Sequence, residues 1–159
     1  MALRNIRQMG DDMLKKKCRE VKEMTPKLKQ LVEDMLDTMY DGNGVGLAAP
    51  QVGILRRIAV VDIGDGPIVM VNPRIVASRG EQTGDEGCLS LPGKAGVVTR
   101  PYYVKIEAWD EDMEWYEMEA EDLLARAFCH EIDHLDGHMY VEKIEGPLHD
   151  AVYEDEDEE

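Results

Sequence analysis

The sequence contains no apolar run close to the roughly 20 residues that a helix needs to cross a bilayer. Its first residues, MALRNIRQMGDDM, lack the apolar segment of a secretory signal. It has only three cysteines (Cys18, Cys88 and Cys129), and none of them forms a CxxC pair, which argues against a disulfide framework. We therefore expect a cytoplasmic protein that has no membrane partner.

Positive charge is also scarce, with 18 Lys and Arg against 34 Asp and Glu and a net charge of −16. Because nucleic-acid affinity comes largely from Lys and Arg that neutralise phosphates, we expect no direct nucleic-acid binding. Six acidic residues form the block EDEDEE, Glu154–Glu159, and such a block is usually disordered and solvated. We predict one globular domain over residues 1–148 and an acidic, disordered tail over residues 149–159.

Two segments have the pattern of amphipathic helices. In TPKLKQLVEDMLDTMYDG, Thr25 is a candidate N-cap, Pro26 the first helical residue and Gly42 the terminator. Its apolar residues recur at the i, i+3, i+4, i+7 spacing of one buried face. The second helix is predicted over LLARAFCHEIDHLDG, with Gly137 at its end.

Between these helices lie segments with the pattern of β-strands. RRIAVVDI and PIVMVNPRIVAS are joined by the turn GDG, and VKIEAW and EWYEMEA by the turn DED, so two hairpins are predicted. The order of helix, antiparallel strands and helix, without an internal repeat or a linker, indicates a single-domain α+β fold. The C-terminal helix of this fold carries an HExxH motif.

That motif is HEIDH, and it places His130 and His134 four residues apart on a helix, so both imidazoles can point at one metal ion. Glu131 lies about 100° around the helix from His130, beside the ion, where it can act as a general base. A pair of core or solvated histidines without a metal is the alternative interpretation.

A catalytic zinc-type site typically has three protein ligands and one water, so a third ligand is needed. The peptidase continuation HExxHxxGxxH fails at Tyr140, and the glutamates that follow lie too close to the helix end to return easily. Upstream, Cys88 in TGDEGCLSLPG is a strong thiolate candidate. Cys18 lies in a lysine-rich stretch that we expect at the surface, and Cys129 lies on another side of the helix. An ordinary buried thiol is the alternative for Cys88.

Three motifs together resemble the signature of peptide deformylases: GVGLAAPQ (44–51), EGCLS (86–90) and HEIDH (130–134). RNIRQMGDDML and LLARAFCHEIDHLDG are also similar to that family, and the resemblance covers roughly residues 1–148. Peptide deformylases are hydrolases that remove the N-formyl group from the formylmethionine of newly synthesised proteins and release formate. The resemblance therefore implies a deformylase-like catalytic domain that acts on formyl-methionyl nascent peptides.

The resemblance implies that Cys88, His130 and His134 hold a metal whose charge lowers the pKa of a bound water. Glu131 would accept the water proton and pass it to the departing amine. The family's enzymes use ferrous iron, and nickel, cobalt or zinc can occupy the same ligands. Fe²⁺ is therefore expected here, although the affinity order of such sites favours zinc.

The resemblance also assigns supporting roles around the metal. The side-chain amide of Gln51 and the backbone N–H of Leu89 would stabilise the developing oxyanion. Glu86 and Arg100 would form an ion pair that orients the Cys88 loop. An ordinary loop residue is the alternative for Gln51, and a solvated pair is the alternative for the two charged residues.

Five residues are predicted to bind the substrate. Gly44 and Gly46 lack side chains, so their segment can approach an extended peptide closely. Leu123 and Ala127 lie on the metal-ligand face of the second helix and Val45 lies between the two glycines, so these three are predicted to line a pocket for the methionine side chain. A core position is the alternative for Leu123.

The sequence departs from the family in several places. Cys129 stands where glutamine is common, which adds an oxidisable thiol near the site. Lys94 and Ala95 stand where some relatives carry an arginine that contacts the substrate backbone, which weakens the expected affinity for the peptide. Some relatives end in a helix that can dock on the ribosome, whereas rRNA would repel this acidic tail, so at most transient ribosome proximity is expected.

Two other functional classes stay open. A zinc peptidase of the HExxH type would cleave internal peptide bonds and would not need Cys88. A non-enzymatic protein would keep the fold for binding alone, with or without a metal.

Overall fold

In the computed structural model, which describes residues 2–151, the first helix begins and ends where the sequence predicts. Helix α1 spans Pro26–Asp41, and Thr25 Oγ1 accepts a hydrogen bond of 3.2 Å from the N–H of Leu28. Gly42 ends the helix, and its N–H donates to Thr38. The N-cap and the proline after it therefore fix the start of α1 as predicted.

The second predicted helix is also confirmed, as α2 over Asp122–Leu135. Gly137 follows it with a φ of 84°, a left-handed conformation that favours glycine. A Cβ at this position would lie 2.6 Å from the backbone oxygen of Lys15, so this residue has to be glycine. Within residues 2–151, neither helix is long and apolar enough to span a bilayer.

An antiparallel sheet contains the five strands β1 (Gly46–Ala48), β2 (Ile58–Val61), β3 (Ile68–Arg79), β6 (Tyr103–Trp109) and β7 (Trp115–Glu121). Their order in the sheet is β1-β2-β3-β6-β7. Both predicted hairpins are present, since β2 pairs with β3 and β6 pairs with β7. The predicted single-domain α+β fold is therefore confirmed.

This sheet is buried between the two helices, and strand β2 shows how. Ile58 and Val60 belong to the apolar cluster that contains the methionines of α1, whereas Ala59 and Val61 belong to the cluster that contains Phe128 of α2. Side chains alternate between the faces of a strand, so a strand covered on both faces is apolar throughout. The sheet thereby fixes α2, which carries the HExxH motif.

A second sheet was not predicted. It has three strands in the order β4-β5-β8, namely β4 (Gln82–Cys88), β5 (Leu91–Arg100) and β8 (His149–Asp150). Several glycines and a proline interrupt β4 and β5, so neither strand has the β-branched or alternating pattern of the others. The hairpin of β4 and β5 places Cys88 at the end of a strand, next to a two-residue turn.

The predicted tail over residues 149–159 begins inside this second sheet. Its residues His149 and Asp150 pair with Ala95 and Lys94 of β5. Residues 152–159, which include the block EDEDEE, lie outside the described residues. The disorder of the acidic block therefore stays a prediction.

The cap of α1 gives a prediction about stability. Replacing Thr25 with alanine removes the acceptor for the Leu28 N–H, which should lower the free energy of unfolding by about 1 kcal/mol. Thr25→Ser keeps the hydroxyl and should stay close to the parent protein. Urea unfolding of the three proteins measures both values, and equal stability of Thr25→Ala and the parent would contradict the assignment.

Candidate metal centre

The two histidines of α2 meet the cysteine of β4 at one point. The ligand atoms of Cys88, His130 and His134 all lie within 4.8 Å of one another, and Cys88 Sγ lies 3.3 Å from His134 Nε2. Both histidines are buried, and Cys88 is half-buried. The structure thus brings together the three residues that the sequence proposed as ligands.

This set of atoms fits a divalent transition metal. Tetrahedral coordination with a metal–sulfur distance near 2.3 Å and metal–nitrogen distances near 2.1 Å separates sulfur from nitrogen by roughly 3.6 Å, close to the spacing of Cys88 and His134. Burial lowers the pKa of His134 well below its ordinary value. Burial also lowers the pKa of His130, but hydrogen bonds with Cys88 and Glu86 raise it well above the ordinary value, and a metal would have to displace that proton from the ring. Glu131 Oε1 and His134 Nδ1 are buried and have no hydrogen-bond partner among residues 2–151.

Glu86 orients one of the histidine ligands. Its Oε1 lies 2.9 Å from Nδ1 of His130, which leaves Nε2 of that ring for the metal. The predicted ion pair with Arg100 is present as a bidentate contact of 2.8 and 2.9 Å, and both side chains are buried. Burial alone would raise the pKa of Glu86, but the hydrogen bonds from Arg100 and His130 hold that pKa far below its usual range.

Glu86 and Arg100 belong to a charged cluster that also contains Arg126 and Asp133. Sequence reasoning missed the last two. Arg126 Nη1 donates to Glu86 at 2.7 Å, and Arg100 Nη1 donates to Asp133 at 2.6 Å. Arg126 precedes His130 by four residues and therefore lies on the same helix face as the metal ligands. A charged residue on a buried helix face was the signal that could have revealed it.

Glu131 lies beside the ligands and is 3% exposed. Burial raises the pKa of its carboxyl group to about 7. The backbone of β1 comes very close to this carboxylate, because a Cβ on Gly46 would lie 2.9 Å from Glu131 Cδ and closer still to Oε2. The glycine therefore makes room for the carboxylate.

Gln51 belongs to a single 3₁₀ turn, Ala49–Val52, that follows β1. Its Oε1 accepts a hydrogen bond of 2.9 Å from the N–H of Ala48, which directs the amide nitrogen towards the hairpin turn after β4. There Nε2 donates to Ser90 Oγ at 3.0 Å and to Cys88 Sγ at 3.4 Å. Leu89 follows Cys88 directly in that turn. Both proposed oxyanion donors thus lie next to the cysteine ligand.

A cleft of about 430 Å³ opens beside the ligands. All five predicted substrate-binding residues line it, namely Gly44, Val45, Gly46, Leu123 and Ala127. Leu123 is 47% exposed, which argues against the alternative core position, and Val45 is also exposed. Lys94 lies at the rim, where its Nζ contacts Asp150 at 2.6 Å.

The other two cysteines lie apart from the ligand cluster. Our expectation of a surface position for Cys18 is wrong, because its side chain packs into the core and its N–H donates to the backbone oxygen of Leu135 at 2.8 Å. The exposed lysines that precede it belong to the surface, but the chain turns inward at this residue. Cys129 is also buried, and burial raises the pKa of its thiol to about 11, which makes it a poor nucleophile.

One cysteine and two histidines beside a buried carboxylate, at one side of an open cleft, form a candidate metal centre of the kind that mononuclear metal-dependent hydrolases use. The polypeptide deformylase family model matches residues 3–149. The peptide deformylase of Agathobacter rectalis is 68% identical over 158 residues, which cover 99% of this chain and 100% of that protein. The peptide deformylase of Lachnoclostridium phytofermentans is 61% identical over 162 residues, covering 100% and 99% of the two chains.

Solved structures agree with this assignment. The peptide deformylase of Thermotoga maritima superposes with a TM-score of 0.90 at 38% identity, covering 92% of this chain and 100% of that chain. The peptide deformylase of Synechococcus elongatus, solved in complex with actinonin, gives a TM-score of 0.86 at 38% identity, with coverages of 89% and 78%. The chain therefore belongs to the polypeptide deformylase family, whose members remove the N-formyl group from newly synthesised proteins.

The contact between Gly46 and Glu131 gives a prediction about activity. Gly46→Ala should displace the Glu131 carboxylate and lower kcat/KM for a formyl-methionyl peptide by at least about 100-fold, because the added Cβ would overlap it. Gly46 does not have a positive φ, so the backbone itself tolerates alanine. Metal content should stay at the level of the parent.

Gly84→Ala is the matched control for this variant. It adds a Cβ on the strand that carries Cys88, and the nearest atom, Arg126 Nη2, would be 3.6 Å away, an ordinary contact. Its activity should stay within a few-fold of the parent. If the kcat/KM of Gly46→Ala equalled that of the control, the placement of Glu131 against this glycine would be wrong.

Proposed function

We propose that the cluster of Cys88, His130 and His134 is the centre at which this chain carries out the reaction of its family. The reaction is hydrolysis of the formyl group at the N-terminal methionine of nascent peptides, with release of formate. One observation carries the proposal: the three motifs, which lie far apart in the sequence, converge on one cleft with Gln51 and Glu131 beside the ligands. The rest of the family's chemistry can be derived from the same side chains.

Glu131 moves the proton in this proposal. Cys88, His130 and His134 would hold a divalent ion, which would supply Lewis-acid activation of water and of a carbonyl oxygen. The water oxygen bonds to the formyl carbon, and Glu131 takes the water proton. The carbon–nitrogen bond then breaks and Glu131 gives this proton to the departing amine. The second water proton leaves on the formic acid product, which ionises to formate. Burial of the carboxylate among apolar and charged neighbours suits it to both transfers.

Gln51 and Leu89 stabilise the charge that develops on the formyl oxygen. A 180° flip of the Gln51 side-chain amide would break the hydrogen bond from the N–H of Ala48 to Gln51 Oε1. The NH₂ group of Gln51 therefore faces the cluster. Its contact of 3.4 Å with Cys88 Sγ is weak and can be exchanged for a bond to the substrate oxygen. The backbone N–H of Leu89 supplies the second donor.

The cleft receives the methionine side chain and the peptide that follows it. Leu123, Ala127 and Val45 provide an apolar wall for the unbranched methionine side chain. Gly44 and Gly46 line the cleft, where their backbone groups can bond to an extended peptide. Their missing side chains make room for Leu89 and Glu131, because a Cβ on Gly44 or Gly46 would overlap those two residues. Lys94 forms an exposed ion pair with Asp150, and its ammonium group lacks the planar guanidinium of the arginine found in some relatives.

Fe²⁺ is the ion that we propose for the cluster, and Zn²⁺, Ni²⁺ or Co²⁺ can occupy the same ligands. A thiolate with two imidazoles suits each of these ions. The proposal of iron rests on the use of ferrous iron by the enzymes of the family. We further propose that the protein acts in the cytoplasm, with at most transient proximity to the ribosome. Its net charge of −16 supports the absence of direct nucleic-acid binding.

Formate release tests the proposed reaction. Protein purified without oxygen should release formate from formyl-methionyl-alanyl-serine, and Glu131→Gln should lower kcat about 10²- to 10⁴-fold while it keeps the metal. Cys88→Ala should abolish both metal binding and activity, whereas a zinc peptidase of the HExxH type would retain both. Absence of formate from protein that holds one metal per chain would refute the enzyme assignment.

Removal and replacement of the metal test the proposed ion. A chelator should abolish activity, and Fe²⁺ added under anaerobic conditions should restore it to the level of the freshly purified protein. Zn²⁺ should bind the same ligands, since the affinity order favours it, and should restore less activity. If Zn²⁺ restored full activity and Fe²⁺ did not, iron would be the wrong assignment.

A further inference from the structure

The metal ligands come from two elements that are joined by side chains. Cys88 belongs to the β4–β5 hairpin, which lies outside the five-stranded sheet, and the histidines belong to α2, which packs on that sheet. The charged cluster described above crosses between them: Glu86 and Arg100 come from the hairpin, and Arg126 and Asp133 come from α2. The geometry of the centre therefore depends on how this cluster fixes the two elements.

Arg126 makes the largest number of these crossing contacts. Its Nη1 donates to Glu86 Oε2 at 2.7 Å and to the backbone oxygen of Val98 in β5 at 3.1 Å. Longer bonds of 3.4 Å reach the backbone oxygens of Gly84 and Gln82 in β4. One side chain of the helix thus holds both strands of the hairpin and the carboxylate between them.

The hydrogen bonds to Glu86 show what would be lost without this arginine. Oε1 accepts from Arg100 Nη2 and contacts His130 Nδ1, both at 2.9 Å, and Oε2 accepts from Arg100 Nε at 2.8 Å and from Arg126 at 2.7 Å. Each oxygen therefore has two partners. Arg126 supplies one of the two bonds that fix Oε2, and so limits rotation of the carboxylate that orients the His130 ring.

The charges of the cluster also balance. The carboxylates of Glu86 and Asp133 face the guanidinium groups of Arg100 and Arg126, and all of these except Asp133 are less than 9% exposed. Removing one partner from a buried ion pair is strongly unfavourable, because it leaves an uncompensated charge. Loss of Arg126 would leave Arg100 as the one buried cation of the cluster that faces Glu86 and Asp133.

We propose that Arg126 is a positioning residue for the metal centre: through Glu86 and the carbonyl groups of the hairpin, it fixes His130 relative to Cys88 before the metal binds. The proposal rests on the ligand assignment made under the proposed function. Partners that orient a ligating histidine typically contribute 10- to 100-fold to metal affinity. Arg126 should therefore affect metal binding in the absence of any substrate.

Metal affinity of three variants tests the proposal. Arg126→Met keeps much of the side-chain length and removes the charge, and it should weaken Co²⁺ binding about 10- to 100-fold in competition with a chelator. Arg126→Lys keeps the charge but loses the bonds that a guanidinium makes to several acceptors, so it should fall between the parent and Arg126→Met. The visible absorption bands of bound Co²⁺ should also change, since they report the coordination geometry.

Lys143→Met is the matched control. Lys143 contacts Asp133 at 3.6 Å from the solvent side of the same cluster and has no bond to Glu86, so its removal should change the affinity less than twofold. Parent-like Co²⁺ affinity and spectrum in folded Arg126→Met would overturn the proposal. If Arg126→Met did not fold, Arg126→Lys would decide, and an unchanged affinity in that variant would overturn the proposal equally.

The measurement is independent of the reaction itself. Co²⁺ affinity is determined without substrate, so the position of Arg126 in the wall of the cleft does not affect it. A parent protein that binds Co²⁺ but releases no formate would refute the proposed function and leave the role of Arg126 intact. If the parent protein released formate and Arg126→Met bound Co²⁺ as tightly as the parent, the proposed function would stand and the proposed role of Arg126 would be refuted.

Discussion

Four short hydrogen bonds meet at the carboxylate of Glu86, and the geometry of the proposed metal centre depends on them. Burying a carboxylate costs several kcal/mol of desolvation free energy, and this cost is offset only when both of its oxygens are fully paired. Here the pairing also joins two parts of the fold, because the partners come from β5 and from α2. The same bonds that keep the carboxylate ionised hold His130 in one orientation and keep the strand that carries Cys88 next to it.

Close packing around the helix then sets the chemistry of Glu131. The sheet covers one side of α2, and the glycine of β1 allows backbone to approach the carboxylate where any side chain would collide with it. The sheet excludes water from the side of Glu131 that faces β1, and this burial raises the pKa of the carboxyl group. The cleft lies open on the opposite side of the same carboxylate. The carboxylate is thus desolvated by the fold and still accessible to a substrate.

The sequence alone predicted the features that depend on local chemistry. Thr25, Pro26 and Gly42 mark the ends of α1. β-Branched runs mark the first predicted hairpin and an alternating pattern marks the second. The four-residue spacing of the histidines places both on one face of α2. Features that depend on distant residues were missed. Glycines interrupt the strand pattern of β4 and β5, so these strands were not predicted. The burial of Cys18 depends on its contact with the end of α2. Arg126 bonds to Glu86, which lies 40 residues away in the sequence. The ligand role of Cys88 required the family resemblance, because a lone cysteine has no local signature.

The proposed function requires that the sulfur of Cys88 and the imidazoles of His130 and His134 bind a single ion. X-ray absorption at the zinc edge of the zinc-loaded protein measures this most directly. If Cys88, His130 and His134 hold the ion, the spectrum should show one sulfur near 2.3 Å and two imidazole nitrogens near 2.0–2.1 Å in the first coordination sphere. A first sphere without sulfur, or with sulfur that persists after Cys88→Ala, would contradict it.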